Sequence, residues 1–123
     1  MAELENQSTV DERRKSDRVD AHNEGLRVFN VIDDQPLGLV GNLCDEGLML
    51  ITHRELFANG ILQMRVDMPQ YLNEPSISVG AKVLWCTPAN SPNEFWVGLE
   101  IIDISDTGRK AIQKLLAFLA ANS

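Results

Sequence analysis

The chain has 123 residues, 44% hydrophobic and 24% charged, with 11 Lys+Arg against 18 Asp+Glu for a net charge of −7. That length and balance fit one soluble globular domain that buries its own core, and they exclude a disordered chain. Such acidity argues against general binding to nucleic acid polymers or anionic membranes, which require a positive field.

Residues 1–12 show no periodicity and few large apolar groups, so they read as a flexible arm. The arm closes on Arg13-Arg14-Lys15-Ser16-Asp17-Arg18, which carries +3 and leaves −10 on the remainder. The division is an arm over 1–18 and a folded unit over 19–123. Leu26–Ile32 is rich in β-branched and aromatic residues and ends in the turn Asp33-Asp34-Gln35-Pro36. Leu37–Cys44 and Gly47–Thr52 are two further strands joined through Asp45-Glu46.

Residues 60–68 alternate, with Leu62, Met64, Val66 and Met68 facing one way and Gln63, Arg65 and Asp67 the other. In residues 76–86 the apolar set is Ile77, Val79, Ala81, Val83 and Trp85. In residues 94–102 it is Phe95, Val97, Leu99 and Ile101, which places Trp96 on the polar face as a partner-contact residue. Ser105 is a predicted N-cap, and Ile112, Leu115, Leu116 and Leu119 keep helical spacing over about 105–121. The expected fold is mainly β: a small six-stranded antiparallel barrel, with the helix closing one end or side.

Cys44 and Cys86 lie 42 positions apart without further cysteines, and His22 and His53 stand alone, so no zinc site is expected. Both cysteines read as reduced thiols of a cytoplasmic protein. The first ten residues are polar where a signal peptide would be apolar, and the longest apolar run, Leu115–Ala121, is too short to span a bilayer. No nucleophile elbow, zincin, P-loop or dinucleotide fingerprint occurs, so no enzyme, catalytic residue or cofactor is expected.

Two segments carry more information. Arg14 and Arg18 form an RxxxR pair with Arg13 in front, and guanidinium forks suit phosphate oxygens and the O6/N7 edge of guanine. The same run also reads as a solvated charge cluster. In Asn42-Leu43-Cys44-Asp45-Glu46-Gly47, alternation turns Leu43 inward and sets Asn42 and Cys44 side by side outside. Gly47 supplies either positive φ or room for close backbone approach. An ordinary β-turn explains that segment equally well.

Together, RxxxR followed some two dozen residues later by [D/N]x[S]xxG resembles a PilZ domain. Arg18-Val19 opening the first strand, the run Val97–Glu100, the exit Ile102-Asp103-Ile104-Ser105 and the terminal helix match the same layout over roughly residues 12–120. The resemblance implies a bacterial cyclic di-GMP receptor without an output domain of its own. Arg14 and Arg18 would grip guanine edges and phosphates, with Asn42, Cys44 and Gly47 completing the second motif. Cys44 departs from the usual Ser, and a thiol is the weaker hydrogen-bonding group.

A basic residue at Arg13 accompanies, in this family, a self-intercalated ligand pair. Trp85 occupies a place where similar proteins carry an aromatic that stacks on guanine, although its alternation partners equally make it a buried barrel-end residue. The implied mechanism is ligand-driven ordering of the arm, read by an unidentified partner protein. The rival readings are a ligand-independent adaptor and a basic-arm nucleic-acid-binding barrel.

Overall fold

The computed structural model describes residues 18–122. Seven strands precede one helix: β1 (Val19–Asp20), β2 (Arg27–Asn30), β3 (Pro36–Leu43), β4 (Gly47–Thr52), β5 (Ile61–Asp67), β6 (Ser76–Pro88), β7 (Phe95–Ile104) and α1 (Asp106–Ala121). A single 3-10 turn, His22–Glu24, lies between β1 and β2.

Every strand pairing is antiparallel. Around the sheet the order is β3-β2-β5-β6-β7-β4, and β4 returns to β3, so six strands close a barrel. Closure removes the open edges that would otherwise template aggregation. β1 is an addition, laid on the same edge of β3 that β2 occupies farther along.

The alternating apolar positions meet inside. Val28, Val40, Leu50, Met64, Val79, Val83, Val97 and Leu99 are essentially inaccessible to solvent. Burying a side chain of this size stabilises the fold by roughly 1.5–3 kcal/mol, so the interior dominates the favourable energy.

α1 closes one end. The Ser105 hydroxyl accepts from the Gly108 N–H at 3.0 Å, satisfying one free donor of the first turn, and Asp106 complements the helix dipole there. Ala111, Ile112, Leu115 and Leu119 form its buried stripe. Ile112 meets Leu26, Leu43, Met68 and Ile77 at the barrel mouth. No helix among the described residues is long and apolar enough to cross a membrane.

The six expected strands and the helix are all present, and the added β1 is too short to announce itself by periodicity. Alternation misplaces two side chains. β6 carries a bulge between Val83 and Trp85, so that Val83 faces Leu99 but Trp85 faces Gly98. The extra residue, Leu84, reverses the phase, and Trp85 points outward at 39% exposure instead of joining the inward set. β3 has its own bulge between Val40 and Asn42 and stops at Leu43. Cys44 therefore falls in the turn, where strand alternation no longer applies, and is buried at 5% exposure instead of standing outside beside Asn42.

Candidate ligand site on the outer face

The two sequence motifs meet because of β1. Its ladder pairs Val19 with Leu43 and Asp20 with Asn42, which carries the preceding residue, Arg18, alongside the end of β3. Arg18 Nη1 donates to Asn42 Oδ1 at 3.2 Å across 24 residues of sequence. The Asn42 amide nitrogen points the other way, toward Met49 Sδ at 3.7 Å. Arg18 makes no ion pair with a carboxylate among the described residues. Its charge faces a neutral acceptor.

Around this contact lies an open cleft of about 420 Å3, bounded by Arg18, Asp20, His22, Asn42, Met49 and Trp96. Its floor is Gly41, the bulge residue of β3. Trp96 enters from β7, two strands away. Its neighbours Val97 and Leu99 are in the barrel core, so the indole projects outside. A β-carbon at Gly41 would stand 3.5 Å from Trp96 Cζ3, an ordinary van der Waals contact, and a tighter 3.2 Å from Met49 Cε, so the indole reaches across β4 to the bulge of β3.

Trp85 lies on the same outer surface. The register runs Asn42, Met49, Gly98, Trp85 across β3, β4, β7 and β6. A β-carbon at Gly98 would collide with Nε1 and Cε2 of the Trp85 indole. That ring therefore lies against the sheet over Gly98, one strand from Met49.

Gly47 is explained by close approach, not by positive φ. A β-carbon there would strike the carbonyl oxygen of Leu99 on the paired strand β7. Gly47 also accepts from the Cys44 N–H at 2.9 Å, tying off the turn that carries the second motif. It shapes the site through the backbone. The Cys44 thiol is buried and does not line the cleft. Arg13 and Arg14 lie outside the described residues.

Sequence reasoning missed His22 and Met49 as cleft residues and gave Trp96 a different role. The available signals were weak: His22 follows Arg18 by four positions, and Met49 is the register partner of Asn42. Trp96 was legible as outward, but nothing local says that its ring reaches β3.

A larger cleft of about 850 Å3 opens elsewhere, beside Glu24, Arg27, Asp67 and Tyr71. Its charged side chains are partnered: the Tyr71 hydroxyl donates to Glu24 at 2.9 Å and Arg27 pairs with Asp67 at 3.4 Å. Size alone does not make it the better site. No group of three metal-ligating side chains is assembled among the described residues.

The fold is similar to that of the inhibitor of motility MotI/DgrA of Bacillus subtilis, with a TM-score of 0.74 and 18% identity over 90% of this chain and 52% of that one. It is also similar to the PilZ domain of Escherichia coli YcgR, solved with c-di-GMP. There the TM-score is 0.67 and the identity 15%, covering 89% of this chain and 93% of that one. A stretch of 79 residues is 33% identical to the glutamate–LysW ligase ArgX of Sulfolobus acidocaldarius, covering 55% of this chain and 28% of that enzyme. The chain thus spans about half of MotI and under a third of ArgX, and neither whole protein's activity transfers with the match. The sequence matches the PilZ domain family over residues 12–118, a span that takes in both motifs, every strand and most of α1. The chain belongs to that family.

Proposed function

We propose that this chain is a receptor for cyclic di-GMP that binds the nucleotide on the outer face of β3, β4 and β7 and passes the bound state to a partner protein. The hydrogen bond between Arg18 and Asn42 carries this reading, because it joins the two motifs at an open cleft. A guanine has an O6/N7 acceptor edge suited to a guanidinium and an N1–H/N2–H edge suited to an amide oxygen. Arg18 supplies the first group and Asn42 the second. Arg13 and Arg14 add the charge that the two phosphates require, and the acidic remainder is screened beyond ~8–10 Å at physiological salt.

Trp85 offers a flat apolar surface for a base. Cys44 acts through the turn it occupies, since its buried thiol is a poor substitute for a serine hydroxyl at the ligand. Ligand phosphates neutralise the arginines of residues 1–18, this segment closes over the cleft, and the remade surface is what a partner reads. The experiment is calorimetric titration with cyclic di-GMP, read together with amide hydrogen exchange. Saturable heat with a Kd at or below ~10 µM and slowed exchange through residues 1–18 are expected. No heat at that concentration overturns the receptor reading. In that event the adaptor that works by protein contacts alone stands, and the burial of Cys44 is the observation in its favour.

A further inference from the structure

We propose that Trp96 is a second base-stacking wall of this site, holding the face of a guanine whose edge is read by Arg18. The inference rests on the cyclic di-GMP reading and adds a residue to it. Trp96 cannot be counted as core: the residues on either side of it in alternation, Phe95 and Val97, belong to the inward set, and the indole is on the opposite face. It is half-buried, and no hydrogen bond holds it to another described residue. Its Cζ3 comes within van der Waals distance of the Gly41 position on β3, beside Met49, and these residues line one cleft. A β7 side chain thus reaches across β4 to the bulge of β3.

The result is an aromatic ring in the same cleft as the Arg18 guanidinium, which has no carboxylate partner among the described residues, and the amide of Asn42. A planar apolar wall beside one cationic fork and one amide is the donor set for a purine, which needs one surface for its face and hydrogen-bonding groups for its edge. Trp85 repeats the device over Gly98. The two indoles sit diagonally on β6 and β7, since Trp85 pairs with Gly98 and Trp96 with Thr87. A ligand with two guanine bases can therefore engage both, with Met49 on β4 beside them.

The test is titration of the full chain with cyclic di-GMP in four forms: the natural protein, Trp96→Ala, Trp96→Phe and Trp85→Phe. The chain has two tryptophans, so Trp85→Phe leaves Trp96 as the sole indole emitter. Base stacking on an aromatic corresponds to a loss of about ten-fold or more on truncation to alanine, and that is the expected weakening for Trp96→Ala. Trp96→Phe should retain most of the affinity, and the emission of Trp85→Phe should be quenched in proportion to occupancy. Should Trp96→Ala prove unfolded by circular dichroism, the phenylalanine variant and the quenching still decide the matter. Unquenched Trp96 emission at saturation, or a folded Trp96→Ala that binds within two-fold of the natural protein, overturns the role of Trp96 alone. If the natural protein does not bind at all, the receptor reading fails and this inference falls with it.

Discussion

Arginine shares the barrel's outer surface with aromatic side chains in two places, with different ionic surroundings. On β2 and β5, Arg65 lies 4.4 Å from the Phe29 ring centre while donating to Asp34 at 2.8 Å and approaching Asp67 at 3.5 Å. Arg27 approaches the same ring at 5.6 Å and shares Asp67. The hydrogen bond to Asp34, with the further pull of both carboxylates, holds Arg65 above the ordinary guanidinium range. On β3, β4 and β7, Arg18 has a neutral amide for a partner and Trp96 as a neighbour. Matched charges make a surface that is complete as it stands. A cation without an ion pair among the described residues, in one cleft with an indole, is a surface that gains from an anionic, planar ligand.

The largest expected effect separates these two arginines. Arg18→Ala removes a charge-assisted contact of ~1.5–3 kcal/mol, so cyclic di-GMP should bind roughly 10–100-fold more weakly by calorimetry. Arg65→Ala, remote from the cleft, should leave the affinity within about two-fold and instead lower the denaturation midpoint. Equal losses of affinity in the two variants would show that the distinction between matched and unmatched surfaces has no functional content.

Asn42→Ala is the next step down. It removes a neutral acceptor, with a typical net contribution of ~1 kcal/mol, so the affinity should fall about five-fold. It also frees Arg18 from its single described side-chain partner. An affinity equal to that of the natural protein would remove Asn42 from the site altogether, whereas if Asn42 serves only to hold Arg18 its effect disappears once Arg18 is gone. Arg18→Ala and the double variant would then bind identically, and a double-mutant cycle reads that directly.

How much of this was legible beforehand differs between core and surface for a physical reason. Period-two alternation reports which side chains a strand buries, so Met64 and Val66 on β5 and Val97 and Leu99 on β7 were readable as core, as was the Ser105 cap of α1. A bulge inserts one residue and inverts the phase without a compositional mark, because its cause is the fit to the neighbouring strand. Leu84 did this to Trp85, and Gly41 is the inserted residue of β3 beside which the Trp96 ring comes to lie. Cys44 was misplaced because a strand was read one residue too far. The meeting of Arg18 with Asn42 followed in the sequence only from the resemblance to a family. Its physical cause is a two-residue ladder, below the length at which alternation carries any signal.

The smallest effect belongs to the matched side and appears only in alkali. Tyr71 packs its ring on Phe118 with centroids 4.1 Å apart and donates its hydroxyl to Glu24. Desolvation, then the hydrogen bond and the charge of Glu24, push its phenol up to about 12 from an ordinary 10.0. An unfolded chain releases that proton near pH 10, whereas the folded chain keeps it until about 12, so the folded state binds more protons in between. Stability from this group is therefore complete below pH 10 and is lost as pH rises toward 12. Because the side chain is partly exposed, the slope should be shallow. Tyr71→Phe keeps the ring contact and removes the proton, so its denaturation midpoint should fall less steeply across that window than that of the natural protein. Tyr71 is the single tyrosine of the chain, and phenolate absorbance follows its ionisation directly. Parallel midpoint curves for the two proteins would break the link between Tyr71 and Glu24, whereas cyclic di-GMP binding near neutral pH should be the same for both, since the cleft holding Arg18 and Trp96 does not include Tyr71.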